Sequence, residues 1–377
     1  MALQCGIIGL PNVGKSTLFN ALTESGIPAE NYPFCTIDPH VGIVELPDKR
    51  LIDLANIYNP KKITSANVEF IDIAGLVKGA SQGEGLGNQF LGQIRQTSAI
   101  IHVVRCFEDE NITHVDGVVN PIKDVETIQT ELLLADIETL ERRKQKIEKS
   151  AKSGEKEAKT LLVLIEKLIE HCSNGNASRT FVCESEDLHL KKMLHLLTDK
   201  SVLYIANVDE NQILKKEFNE HVKNLSDFAN NEGNISICLC ASLEQDIAQL
   251  NNDEKLLFLN DYNLEEPGLN TVIHKSYELL GLQTFFTCGE NEVRAWTISI
   301  NTPAPKAAGS IHTDFQRGFI KADVFHYNDI IKYQSEKKLS ELGLIRQEGK
   351  EYVVQDGDCL FFKFNSRTFF KNSIFFS

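Results

Sequence analysis

Gly9-Leu10-Pro11-Asn12-Val13-Gly14-Lys15-Ser16-Thr17 separates two contrasting stretches of this chain. Before it, residues 3–8 are apolar apart from Gln4 and read as a strand; after it, Leu18-Phe19-Asn20-Ala21-Leu22 reads as the first turns of a helix. Strand, glycine loop and helix in that order form the context of a phosphate-binding P-loop. Backbone N–H groups of the loop and of the helix start converge on a β-phosphate. Lys15 adds a point charge for the β- and γ-phosphates, and the Ser16 hydroxyl is placed to ligate magnesium. Asn12, Val13, Gly14, Lys15, Ser16 and Thr17 are therefore the expected phosphate-binding residues, with Lys15 also catalytic. A chance glycine-rich turn would not need the flanking strand and helix. The implied fold is α/β, a doubly wound and mainly parallel sheet.

The chain has 377 residues, enough for two or three domains with a sizeable core. Its nine cysteines are scattered singly except for Cys238 and Cys240, and no pair has structural-zinc spacing. With no secretory pattern at the start, free thiols in a reducing cytoplasm are expected. No apolar run approaches the roughly 20 residues of a membrane span. A net charge of −14 argues against indiscriminate nucleic-acid binding, but leaves room for a local basic patch that touches RNA.

A P-loop alone does not separate a kinase, a transporter ATPase and a switch protein. Asn67-Val68-Glu69-Phe70-Ile71-Asp72-Ile73-Ala74-Gly75 narrows the choice, being a mostly apolar strand that ends in Asp-x-x-Gly. At the carboxyl end of a parallel strand, Asp72 is expected to face the P-loop and hold magnesium through water. Gly75 lets its backbone N–H approach a γ-phosphate closely, which is how a protein senses the third phosphate. Between the two motifs, Asn31-Tyr32-Pro33-Phe34-Cys35-Thr36-Ile37 offers Thr36 as a further magnesium ligand, released after hydrolysis. An ordinary surface threonine is the alternative.

The base-reading signal lies in Asn207-Val208-Asp209-Glu210, after the β-rich run Ser201-Val202-Leu203-Tyr204-Ile205-Ala206. Guanine-specific switches place Asn-Lys-x-Asp here, and the aspartate accepts from guanine N1–H and the 2-amino group. Val208 replaces the lysine, Glu210 replaces the aspartate, and Asp209 sits one position early, pointing elsewhere on a strand exit. Asn207 retains the ability to bond a purine edge. The pattern favours ATP, with GTP as runner-up. A further strand, Ile235-Ser236-Ile237-Cys238-Leu239-Cys240, leads to Ala241 and Ser242, whose backbone N–H groups are expected to close over the base. Cys238 and Cys240 share one face of that strand, as core residues rather than metal ligands.

Leu76 occupies the place where many switch enzymes carry a catalytic glutamine, and leucine cannot orient a water. His114, in Asn111-Ile112-Thr113-His114-Val115-Asp116, is the candidate substitute, an imidazole able to position or activate the attacking water. A solvated loop histidine is the alternative reading.

Residues 106–200 are too many for a crossover helix. Leu133, Ile137, Leu140, Lys144 and Ile147 recur at steps of four and three, as do Leu161, Ile165, Leu168 and Cys172, with Ser153-Gly154 between them. The pattern predicts an inserted antiparallel helical hairpin over 126–199, between two parts of the nucleotide domain, 1–125 and 200–280. Residues 142–160 hold eight Lys/Arg and three Glu, a local +5 suited to RNA or an acidic partner, or simply a solvated face. Beyond Gly281, Phe285-Phe286-Thr287, Val293-Arg294-Ala295-Trp296-Thr297-Ile298 and Cys359-Leu360-Phe361-Phe362-Lys363-Phe364 read as strands. With helices over 304–314 and 329–344, residues 281–365 make a small mixed α/β binding module. The Phe-rich extension 366–377 has no assigned role.

These motifs together resemble the YchF/Obg-like ATPase family of P-loop switch proteins. The resemblance rests on the P-loop, Asn31 to Ile37, Asp72-Ile73-Ala74-Gly75-Leu76-Val77-Lys78-Gly79-Ala80 and Asn111-Ile112-Thr113-His114-Val115. It also rests on Asn207-Val208-Asp209-Glu210, Arg294-Ala295-Trp296 and Gly309-Ser310-Ile311-His312-Thr313-Asp314-Phe315. It implies an Obg-type switch domain, a coiled-coil insertion and a C-terminal TGS domain of β-grasp type. It further implies magnesium-dependent ATP hydrolysis with GTP tolerated poorly, and His114 compensating for Leu76. Ribosome association, on the large subunit or 70S particle through the basic arm and TGS domain, follows from the same resemblance, as does a redox-sensitive thiol at Cys35. A monomer is the default. Ser201, Cys240 and the extension after Asn365 depart from the family pattern; none of them removes a phosphate or magnesium ligand.

Overall fold

The computed structural model describes residues 3–24, 40–73, 86–109 and 118–365. Twelve strands follow one another among them: β1 (Gln4–Ile8), β2 (Val41–Glu45), β3 (Lys62–Thr64), β4 (Asn67–Asp72), β5 (Ala99–Arg105) and β6 (Val202–Asn207), then β7 (Ile235–Leu239), β8 (Leu282–Thr287), β9 (Glu292–Ser299), β10 (Phe319–His326), β11 (Arg346–Glu348) and β12 (Asp358–Phe364). The chain forms two compact units. One comprises residues 1–44 and 69–279, the other 45–68 and 280–377.

The first unit is built on a sheet of order β2-β4-β1-β5-β6-β7. β1 pairs in parallel with β4 and β5, β5 with β6, and β6 with β7. β5 and β6 are buried along their whole length, as strands covered on both faces must be. This is the expected doubly wound sheet. Its strand order departs from β1 in both directions, so the crevice at the carboxyl end of β1 is a topological switch point, where such sheets bind ligands.

The inserted hairpin is present. Its first helix, Pro121–Lys152, starts on the Asn120 cap with proline at the first turn, five positions before the expected boundary at 126. The chain turns at Gly154, with φ at +98°, and the second helix runs Lys156–Ser173. Leu140, Leu164, Ile165 and Leu168 are buried together, joined by Leu190, Leu194 and Leu196 from the return segment. Lys144 leaves the apolar stripe and instead reaches Glu166 at 2.9 Å across the hairpin. The base of the arm is tied down by polar groups. Asp136 accepts from the backbone N–H groups of Leu197 (2.7 Å) and Thr198 (2.8 Å) and from the Thr198 hydroxyl (2.7 Å). Arg179 pairs with Glu232 at 2.8 Å, and Tyr204 donates to the same carboxylate at 3.0 Å.

The second unit holds a sheet of order β11-β10-β12-β8-β9-β3. β10 pairs antiparallel with β11 and β12, β8 antiparallel with β9, and β12 and β8 are parallel. The helix Ala304–Ile311 buries Ala304, Ala307 and Ala308 against Phe285, Val324, Leu360 and Phe362 of the sheet. Two predicted helices are each split: Ala304–Ile311 is followed by Thr313–Arg317, and Tyr327–Tyr333 by Glu336–Glu341. His312 is extended between the first pair and accepts from Asp314 N at 3.2 Å, while Gln334 ends the next helix with φ at +56°.

One domain boundary needs correction. Residues 45–68 belong with the C-terminal unit rather than with the rest of 1–125, because β3 pairs in parallel with β9 and adds an edge strand to that sheet. The Arg50 guanidinium also stands over the Phe286 ring and pairs with Asp356 at 2.7 Å.

Candidate nucleotide site

The loop leaving β1 is shaped by contacts that only small residues permit. A Cβ on Gly9 would lie 2.7 Å from the Val103 carbonyl oxygen. Gly14 has φ at +92°, and a Cβ there would lie 2.2 Å from Asn207 Nδ2. Asn12 also adopts the left-handed region, at +61°. The helix Lys15–Glu24 begins immediately after the loop, with Leu18 N donating to the Gly14 carbonyl at 3.0 Å. Leu18, Phe19, Ala21 and Leu22 bury its inner face, which fixes its N-terminus at the crevice.

Asp72 ends β4 beside the loop, in register with Ile7 of β1. Its carboxylate pairs with the Lys15 ammonium, and both side chains are largely buried. The cation that would meet phosphate and the carboxylate that would meet magnesium thus satisfy each other here. Among the described residues no group of three His, Cys, Asp or Glu is assembled as a metal cage. A hydroxyl (Ser16) with one carboxylate (Asp72) suits magnesium, a cation that keeps several waters and takes its remaining oxygens from phosphate.

Beside the loop opens a cavity of about 550 Å³. Asn12, Gly14 and Thr17 of the loop and helix start line it together with Phe107 and Asp109, residues 207–210, Ala241 and Ser242. The structure thus brings the expected base-side residues to the P-loop. What it adds is how their polar groups are used. Asn207, only 4% exposed, donates from Nδ2 to the Val13 carbonyl and accepts at Oδ1 from Ala241 N, each at 2.9 Å. Its carboxamide therefore links the P-loop to the turn after β7, and the Ala241 N–H expected over the base is spent on that link. Val208 is buried, with its N–H donating to the Leu239 carbonyl at 2.9 Å. Asp209 caps the helix Glu210–Lys215, accepting from Gln212 N at 3.2 Å and from Gln212 Nε2 at 2.7 Å. Glu210 accepts from the Tyr262 hydroxyl at 3.0 Å. Ser242 and the Cys240 thiol lie 3.2 Å apart.

Arg105 is a contributor that sequence reasoning passed over. Only 2% exposed at the end of β5, it donates to the carbonyls of Phe107 (3.1 Å) and Asp109 (3.2 Å) and holds its guanidinium over the Phe107 ring. The signal was available: an arginine ending an otherwise apolar strand needs a dedicated set of acceptors. Thr36, Gly75, His114 and Cys35 lie outside the described residues.

Comparisons with known proteins give the family. Residues 4–135 match a family model described as "50S ribosome-binding GTPase", and residues 282–365 match a model of the C-terminal domain of YchF GTPases, described as a protein of unknown function. Proteins named "Ribosome-binding ATPase YchF" from Haemophilus ducreyi and Bacillus subtilis are 52% identical to this chain, and one from Escherichia coli O157:H7 is 51% identical. Each similarity runs over 365 residues, covering 97% of this chain and all of the relative. The solved structure of the Schizosaccharomyces pombe YchF GTPase superposes with a TM-score of 0.87 at 37% identity, covering 96% of this chain and 97% of that one. On sequence and fold together, the chain belongs to the YchF family.

Proposed function

We propose that this protein is a magnesium-dependent ATPase that acts as a ribosome-associated, nucleotide-dependent switch. The observation that carries the choice of ATP is the state of Asp209 and Glu210. Both carboxylates of the base-side turn already have partners within the protein, Gln212 and Tyr262. A two-pronged acceptor for guanine N1–H and its 2-amino group needs both oxygens of one carboxylate turned to the base, and the bonds to Gln212 and Tyr262 orient these carboxylates within the protein instead. Adenine makes no such demand.

In this reading the N–H groups of residues 12–17 cradle the phosphates, and Lys15 exchanges Asp72 for the β- and γ-oxygens. Ser16 and Asp72 would hold magnesium, with Thr36 as a third protein ligand; when bound, the cation neutralises charge developing on the transferred phosphoryl group. Gly75 reports the γ-phosphate, and His114 positions the attacking water in place of glutamine. The arm and the C-terminal domain, of TGS type, supply the ribosome contacts, and the protein works in the cytoplasm as a monomer. The relatives' names support the ribosome and the hydrolysis. Turnover rising on addition of ribosomes, with ribosome co-sedimentation that differs between an ATP analogue and ADP, is the expected result. Co-sedimentation indifferent to nucleotide would reduce the protein to an adaptor.

A GTPase is the second reading. It is favoured by the description of the matched N-terminal family model and by the name of the fission-yeast relative. Direct competition between the two nucleotides separates the readings.

A further inference from the structure

The C-terminal unit brings two free cysteines together at a seam of its sheet. Cys359 lies on β12, opposite Phe286 of the parallel neighbour β8, and Cys288 follows the end of β8 at Thr287. Their thiols are hydrogen-bonded to each other across the two strands. Among the described residues no third His, Cys, Asp or Glu completes a metal cage with them. What the pair offers is the chemistry of two thiols in contact.

The two differ in access. Cys359 is 1% exposed, whereas Cys288 is half-buried. Both line a cleft of about 600 Å³ that nucleotide chemistry does not use, so a small oxidant entering there meets the Cys288 sulfur first. The hydrogen bond with Cys288, together with burial, holds the Cys359 thiol well above the usual thiol range, and Cys359 rests protonated against its neighbour. A reachable thiol with a second thiol already touching it is poised for bridging rather than for further oxidation. The position gives such a bridge a consequence. The β8–β9 pair lies on one side of the seam and the β10–β12 pair on the other, so a bond here joins the two halves of the sheet.

We propose that Cys288 and Cys359 form a reversible disulfide when the protein meets a peroxide, locking the β8–β12 seam of the C-terminal unit. The Cys288 sulfur attacks one peroxide oxygen; the O–O bond breaks, and the departing hydroxide takes the Cys288 proton to leave as water. The Cys359 sulfur then attacks the sulfenic sulfur of Cys288. The S–O bond breaks, and the hydroxyl leaves with the Cys359 proton as a second water. The two thiols lose two electrons and the peroxide gains them. The proposal is independent of which nucleotide the first unit prefers.

Tryptic mapping of the full chain tests it, after a small molar excess of hydrogen peroxide, blocking of the remaining thiols with N-ethylmaleimide and digestion without reductant. Cys288 and Cys359 fall in separate peptides, 276–294 and 351–363, each with one cysteine. The expected result is recovery of these peptides mainly as one linked species, which dithiothreitol separates. The oxidised chain should melt about 5 °C or more above the reduced chain, because the bridge closes a loop of about 70 residues. Cys288→Ser should abolish both the linked species and the melting shift. In Cys359→Ser the reaction should stop at Cys288, captured by dimedone as the sulfenic acid. Oxidation confined to other cysteines, Cys35 included, or bridging of Cys288 to a thiol other than Cys359, overturns the proposal. A linked species with no gain in melting temperature would refute the lock.

Discussion

Asn207 donates to the carbonyl of Val13 at 2.9 Å, across 194 residues of sequence, and Gly14 has no Cβ because one would collide with that amide. The P-loop is therefore tied by a side chain to the end of β6. Asn207→Ala leaves the Val13 carbonyl and the Ala241 N–H buried and unpaired, at about 1–2 kcal/mol each. The expected outcome is a loss of about 2–4 kcal/mol in denaturant unfolding, together with at least ~10-fold weaker nucleotide binding.

The Lys15–Asp72 pair sets an order of binding. Asp72 is paired with an ammonium group and no cage is assembled among the described residues, so titration of the nucleotide-free protein with Mn²⁺, followed by electron paramagnetic resonance, should show no tight site. Adding ATP draws Lys15 to phosphate and creates one. Asp72→Asn should bind ATP but lose most of its metal dependence. Tight metal binding without nucleotide would contradict the exchange.

Burial, aided by the nearby Arg179 charge, lowers the His102 imidazole from 6.5 to about 3. The folded protein keeps this ring neutral, whereas the unfolded chain takes up a proton below about 6.5. The unfolded state binds more protons across that window, so stability falls as pH falls from about 6.5 towards about 3. The contribution is at most about 1.4 kcal/mol per pH unit. Melting temperatures of the parent and His102→Asn, measured from pH 7 to pH 4, should diverge at neutral pH and converge in acid.

Asp136 fixes the base of the arm through three bonds to Leu197 and Thr198. Replacing it by alanine strands buried donors and should cost about 2–4 kcal/mol. Asp136→Asn, which keeps one acceptor, should cost about half as much. Faster amide exchange at Leu197 and Thr198 in both variants would locate the damage at this joint.

The parts of the molecule that could be read from sequence are those in which a motif sits inside its own local context. The P-loop, the strand ending in Asp72 and the break at Ser153-Gly154 declare themselves within a dozen residues each, and the hairpin's stripes follow helical periodicity. What escaped depends on partners distant in sequence. β3 is three residues long and becomes a strand only by pairing with β9 some 230 residues later. β10 has an irregularity in register near Phe319 that spoils simple alternation, although it is central to its sheet. At the site, residue identity suggested that Asn207 and Ala241 face the base; only the fold shows them bonded to each other and to Val13. Arg105 was hidden because the Phe107 and Asp109 carbonyls that it reaches are backbone groups, which no sequence pattern marks.

Competition between ATP and GTP for one labelled nucleotide on the full-length protein, with magnesium present, tests the central reading most directly. With Asp209 and Glu210 committed to Gln212 and Tyr262, ATP should displace the label at a concentration at least ~10-fold below that of GTP. Tight displacement by GTP with little effect of ATP would mean that one of those carboxylates turns to read guanine, and would contradict the account.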